Sequence, residues 1–245
     1  MTTVSLESEI FSEQKMNYLK LSGNQYQRIH IPDISGILMY NQHYSEEEGA
    51  GYIRCLKDKG EPCPICENVN EPVTKFKINV LVYNTNTEDG TEPDDLSMVT
   101  MVPKVWKCGL KILSQLKAKH KKVAKKGGLP AIDLILHCTN EQYQHVDIED
   151  CDEALCIKDA RLKQLSDKCK TQFVNFETVN DRDLKFPTPM QLQRWLKAVT
   201  GQSTEVPKKP VKKDEQQTQS IEEIENLDEN PSVSEEDLMK DLGLK

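Results

Sequence analysis

No uninterrupted apolar run in the chain approaches the ~18 residues that a membrane-spanning helix needs. The first fifteen residues carry Glu7, Glu9 and Glu13, where a secretory leader would be basic and then apolar. Membrane insertion and secretion are therefore not expected. Aromatic residues are scarce at 6%, and apolar residues reach 37% where roughly 45–50% is typical, so part of the chain is expected to stay disordered. No glycine-rich phosphate loop, His-Glu-x-x-His pair or Ser-His-Asp arrangement is evident, and enzymatic activity is not expected. At 245 residues, one domain with appendages and two domains are equally compatible with length.

What the chain does have is cysteine: Cys55, Cys63, Cys66, Cys108, Cys138, Cys151, Cys156 and Cys169. Without a leader a reducing compartment is expected, where clustered thiols hold metal more often than they pair. His43, Cys55, Cys63 and Cys66 form H-x11-C-x7-C-x2-C, the last two inside Pro62-Cys63-Pro64-Ile65-Cys66. A C-x2-C turn brings two thiolates to one ion, and a further Cys and His complete a closed, tetrahedral, structural zinc shell. Cys108 is the other candidate for the fourth ligand, since His43 alone reads equally as a surface histidine in a polar turn. Cys138, Cys151, Cys156 and Cys169, with His137 and His145, lack ligand spacing and read as core packing. The Pro-Cys-x-x-Cys run also occurs in zinc nucleobase deaminases. Here, however, the upstream motif is His43-x-x-Glu46, and Cys55 would fill the position those enzymes keep open for water.

The net charge of −8 is unevenly spread. Residues 214–245 hold eleven acids against Lys240 and Lys245, a net of −9, and −8 less −9 leaves +1 for residues 1–213. The acidity belongs to the tail and does not argue against a nucleic-acid-binding body. From Lys104 to Lys126 there are nine lysines and no acid, beginning on the polar side of an amphipathic helix expected to open at Pro103 and to carry Trp106, Leu110, Leu113 and Leu116 on its apolar stripe. A solvated face is one reading of such a run. The interleaving of Phe76, Tyr83 and Trp106 with Lys75, Lys77, Lys104 and Lys107 favours the other, a surface where bases stack and lysines follow the backbone. For Trp106, burial and stacking remain equally open.

Elsewhere the signals are mostly short strands, expected over residues 18–31, 34–40, 76–83, 96–102, 131–136, 143–148, 154–157 and 172–177, with a short helix over 159–170. The 76–83 and 96–102 segments read as a hairpin with a long acidic loop. Thr188, Pro189, Leu192, Trp195, Leu196, Val199 and Gly201 describe a capped closing helix on the core. Residues 202–219, rich in Pro, Lys, Gln, Ser and Thr, read as a linker. Many short strands with few helices favour a small barrel or sandwich.

Taken together, these residues resemble the T-even bacteriophage single-stranded-DNA-binding protein family. The resemblance rests on Asn17-Tyr18-Leu19-Lys20-Leu21, Arg28-Ile29-His30-Ile31-Pro32, Asn41-Gln42-His43, Gly51-Tyr52-Ile53-Arg54-Cys55, the Pro62 to Cys66 run, Asn79-Val80-Leu81-Val82 and Lys104-Val105-Trp106, in order and near the family's spacing. It covers residues 16–115 in detail and the rest loosely. It implies an oligonucleotide-binding barrel with an inserted zinc subdomain, a basic aromatic-lined groove, service in phage replication, recombination and repair, and an acidic tail that recruits replication proteins. His43, Cys55, Cys63 and Cys66 fall on the family's zinc ligands. Two departures stand out: residues 1–14 are acidic where the family has a basic arm for cooperative self-association, and the family's aromatic pair is here Phe76-Lys77.

The expectation is thus a non-enzymatic, α+β, β-rich single-stranded-DNA-binding protein in the cytoplasm of an infected bacterial host. An N-terminal arm (1–15) precedes a core (16–201) with one structural Zn2+ in a lobe near 40–72, followed by a linker and acidic tail (202–245). Lys75, Lys77, Lys104, Lys107 and Lys111 are expected on phosphates, Phe76 and Tyr83 on bases, with Trp106 beside them. Glu235, Glu236, Asp237, Leu238, Asp241 and Leu242 are expected to meet a helicase or its loader, primase or polymerase, with self-association on DNA as a further contact. The alternative is a zinc-ribbon protein-interaction adaptor of phage transcription or replication.

Overall fold

The computed structural model describes residues 16–85, 87–139, 146–179 and 181–201. The N-terminal arm, the linker and the tail, including the six tail residues above, lie outside them. In chain order the elements are β1 (Tyr26–His30), β2 (Leu38–Ser45), β3 (Gly51–Arg54), α1 (Pro64–Asn68), β4 (Val73–Asn84), β5 (Thr100–Gly109), α2 (Leu110–Lys122), β6 (Asp133–Cys138), β7 (Val146–Asp150), α3 (Leu155–Lys158), α4 (Ala160–Lys170) and α5 (Pro189–Thr200). The architecture is α+β and β-rich: all seven strands join one open antiparallel sheet. No helix among the described residues is long and apolar enough to cross a membrane.

β4 organises the sheet. Along one edge it carries β5 over ten residue pairs; along the other it carries β2 near its start and β1 near its end, the order continuing through β6 to β7. Its alternating sequence serves two cores. Phe76, Ile78, Val80 and Val82 face a cluster with Ile29, Leu134, Leu136 and the α2 residues Leu113 and Leu116. Leu81 and Tyr83 face a second cluster with Val99, Met101, Leu155, Leu162 and Cys169. A third cluster joins Cys55, Cys63 and Ile65 to Leu192, Trp195 and Leu196. The closing helix α5 therefore packs on the cysteine-bearing lobe rather than on the main core. Its Thr188 capping box, Pro189 and left-handed Gly201 are as the sequence indicates.

Several expectations change. The helix expected from Pro103 begins at Leu110, and Pro103 and Trp106 belong to β5. Val105, two residues from Pro103, directs its N–H away from β4 to the Asn17 carbonyl at 2.9 Å, so the donor that Pro103 lacks would also have pointed outward and the β4 ladder is intact. The expected strand over 18–31 is broken by a turn at Asn24 (φ 58°), leaving β1 and a single bridge from Tyr18 to Val105. The strand expected over 154–157 is replaced by α3, with Ala154 as its N-cap, because the Asp133 carboxylate accepts the Leu155 N–H at 3.0 Å and starts a helical turn. Residues 172–177 form turns, with Val174 bonding through both its N–H and its carbonyl to the Asn79 side chain.

Candidate metal centre and nucleic-acid interface

β2 delivers His43, while Cys55 follows β3 directly, its N–H bonded to the Asn41 carbonyl at 2.9 Å. Cys63 is the N-cap of α1, Pro64 takes the first helical position, and Cys66 lies one turn on, which folds the C-x2-C pair toward a single point. The four ligand atoms all lie within 4.8 Å of one another. Cys63 Sγ is 3.4 Å and Cys66 Sγ 3.7 Å from His43 Nε2, and the Cys55 and Cys66 sulfurs are 3.6 Å apart. A tetrahedron with Zn–S near 2.3 Å and Zn–N near 2.0–2.1 Å has edges of about 3.5–3.8 Å, so these groups fit one zinc ion.

Asn70 fixes the histidine. Its Nδ2 donates to the Tyr44 carbonyl at 3.3 Å, which turns Oδ1 toward His43 Nδ1 at 3.0 Å. Nδ1 then carries the hydrogen and Nε2 presents its lone pair to the sulfurs. Burial pushes the Cys55 thiol up to about 12. At Cys63 burial also opposes ionisation, but hydrogen bonding with His43 and with backbone N–H groups prevails and lowers it to about 6. A bound cation would draw all three thiols to thiolate. An ion held by all four side chains would have no open coordination position, and Trp195, whose indole donates to the Gly51 carbonyl at 3.0 Å, packs against the cysteines. Cys108, the alternative ligand, lies instead in the main core, opposite Phe76. Among the described residues no second group of three or more His, Cys, Asp or Glu side chains is placed to hold a metal ion.

Beside this lobe opens a cleft of about 820 Å3, lined by Lys20, Lys75, Lys107 and Lys111 together with Trp106 and, at one end, Asp147. Each lysine arrives by a separate route. Lys75 and Lys107 stand on β4 and β5, Lys111 on the first turn of α2, and Lys20 on a segment tied to β5 by the Leu19 N–H and the Val105 carbonyl. Lys75 Nζ passes over Gly109, 3.9 Å from where a Cβ would sit. Burial and then the repulsion of Lys107 hold the Lys75 pKa below the usual lysine value, and among the described residues no carboxylate pairs with it. A half-buried ammonium beside a second cation favours an anion at that spot.

Of the eight residues expected on nucleic acid, Lys75, Trp106, Lys107 and Lys111 share this cleft. The others do not. Phe76 and Tyr83 are each 1% exposed and inside the two cores, so neither ring has a face for a base. Lys77 is wholly buried, bonded to Asp181 at 2.7 Å and to the Tyr18 hydroxyl at 2.6 Å, which leaves its ammonium out of reach of a phosphate in solvent. Lys104 is half-buried and lines smaller cavities away from the cleft. Trp106 is almost fully buried and leaves little surface to the cleft. Later in the lysine run, Lys119 and Lys122 are taken by Asp150 at 2.9 and 2.7 Å; these contacts hold its carboxyl down to about 2.

The exposed aromatics are ones that sequence reasoning passed over. Tyr52 is 53% exposed, its ring 4.4 Å from that of Tyr44 directly across the β2–β3 hairpin, with Lys107 Nζ 5.3 Å above it. The symmetric placement of Tyr44 and Tyr52 about a short acidic turn was the available signal. Compared with known proteins, the sequence matches no family model, and no curated protein is significantly similar to it.

Proposed function

We propose that this chain is a single-stranded-DNA-binding protein, with the lysine cleft as its phosphate track and Tyr52 and Tyr44 as its base platform. The observation that carries this reading is Lys75: a half-buried cation, repelled by Lys107 and sharing a cleft with Lys20 and Lys111, where Lys107 also lies over the exposed Tyr52 ring, itself tilted 30° against Tyr44. Enzymatic chemistry has no comparable support, because the metal shell is filled by protein ligands.

In this reading the antiparallel sheet around β4 is a partly open oligonucleotide-binding barrel, with the zinc lobe inserted between β2 and β4 so that metal binding sets the height of Tyr52 above Lys107. The resemblance to the T-even phage family supports a role in replication, recombination and repair inside an infected bacterial cell. There the −9 tail would recruit a helicase or its loader, primase or polymerase and compete with DNA for the lysines.

Gel shift of labelled oligo-dT tests the reading. A salt-sensitive shift, tightened by truncation after Lys213, is the expected result. No shift, with copurification of a polymerase, would instead make the chain a zinc-ribbon adaptor.

A further inference from the structure

The metal centre has one open side. Of its four ligand residues, His43, Cys55 and Cys63 are each no more than 1% exposed, whereas Cys66 is partly exposed. The short helix α1 sets this difference. Ile65 is buried in the cluster with Leu192, Trp195 and Leu196, and Cys66, the next residue round the turn, precedes the solvent-exposed Glu67 and Asn68. On its inner side, Cys66 Sγ lies 3.6 Å from Cys55 Sγ and 3.7 Å from His43 Nε2. Joining the two sulfurs requires them to approach to about 2.05 Å, a movement of the size that side-chain torsions supply.

We propose that Cys66 and Cys55 form a redox-sensitive pair within the metal centre: a hydroperoxide oxidises the Cys66 sulfur, Cys55 captures it as a disulfide, and the zinc ion leaves. The inference rests on the metal assignment and is independent of the nucleic-acid reading. Cys66 owes its reactivity to the shared cation rather than to its own acidity. An ion bound by the four side chains draws all three sulfurs to thiolate, the nucleophilic form, and only Cys66 presents its sulfur toward solvent. Cys151 is the other partly exposed cysteine. It stands outside the metal cluster, and burial pushes its thiol up to about 11, so it stays protonated at neutral pH.

In the first step the Cys66 sulfur attacks one peroxide oxygen, the S–O bond forms as O–O breaks, and the departing hydroxide or alkoxide takes a proton from water. In the second the Cys55 thiolate attacks the sulfenic sulfur, the S–S bond forms and a hydroxide leaves. The two sulfurs give up two electrons in all, and the peroxide gains them. A disulfide offers no thiolate to a cation, so only His43 and Cys63 remain, two ligands where a structural shell needs four. The new bond ties the end of β3 to α1, which keeps the ligand residues together until a thiol reductant opens it.

The test treats the zinc-loaded full chain with hydrogen peroxide, follows released zinc with a chromogenic chelator and maps disulfides by non-reducing peptide mass spectrometry. Zinc should be released as the Cys55–Cys66 disulfide accumulates, at least about tenfold faster than Cys151 is oxidised. Dithiothreitol with added zinc should restore the metal content and the Trp195 fluorescence. Cys151→Ser should behave as wild type. Cys66→His keeps four ligands without the exposed sulfur and should hold its zinc under the same treatment. Zinc retained by the wild type, oxidation of Cys151 first, a disulfide that joins Cys63 instead, or release from Cys66→His at the wild-type rate each overturns the proposal. A wild-type chain that takes up no zinc overturns it together with the metal assignment, and the wild-type map decides alone should Cys66→His bind no metal.

Discussion

The Asp183 carboxylate holds the Lys107 ammonium at 2.7 Å on the rim of the lysine cleft, and the same group stands 3.6 Å from the buried Lys77. Residues 181–184 thus bring acids from far down the chain onto a surface that the local sequence leaves purely basic. On the proposed function, a phosphate approaching Lys107 must displace this carboxylate.

Asp183→Asn should therefore tighten oligo-dT binding. The pair is partly exposed, and such pairs contribute about 0.2–1 kcal/mol, so the gain should be up to about fivefold. One additional phosphate contact steepens the salt dependence by about 0.7 in the log–log slope. Fluorescence titration of the variant and wild type at several salt concentrations checks both.

The lysines divide by surroundings. Lys75→Ala with Lys111→Ala should flatten the salt slope by about 1.4 while leaving thermal unfolding close to wild type. Lys77→Ala should do the reverse: it strands Asp181 without its buried cation and should cost about 3–5 kcal/mol of stability. Denaturant titration and DNA titration of the same samples separate the two effects.

The aromatics divide likewise. Phe76→Ala should destabilise the fold by about 3–5 kcal/mol as a core truncation. Tyr52→Ala should cost about 1–3 kcal/mol of binding without changing the slope, the mark of lost stacking. Equal binding by Tyr52→Ala and wild type would remove the hairpin from the interface.

Zinc removal should melt more than the metal lobe. Because Leu192, Trp195 and Leu196 pack against Cys55, Cys63 and Ile65, chelation should release α5, lower the melting temperature and change Trp195 fluorescence. Cys63→Ser should reproduce the chelated state, and Cys151→Ser should retain one zinc per chain, both read by metal analysis.

Periodicity and spacing carried the local features well. The β4 alternation, the α5 cap and stop, and the H-x11-C-x7-C-x2-C set were legible because each depends on residues near one another in sequence. Pro103 misled because its missing donor matters only when it faces a partner strand, and here it faces outward. Phe76, Lys77 and Tyr83 misled because a strand with cores on both sides hides its polar positions as well, and the charge of Lys77 is balanced inside by Asp181 and Asp183, more than a hundred residues away. Lys20 lies outside the dense lysine run and joins the cleft only through the contact of its segment with β5, and Tyr52 comes under Lys107 only through the β2–β3 hairpin.

The central claim, that the Lys20, Lys75, Lys107 and Lys111 cleft receives single-stranded DNA, is tested most directly by titrating zinc-loaded protein with oligo-dT across a salt series. Three or four phosphate contacts predict a log–log slope of about −2 to −3, flattened in the Lys75→Ala, Lys111→Ala double variant. A slope near zero, or an unchanged slope in a folded double variant, would contradict the account.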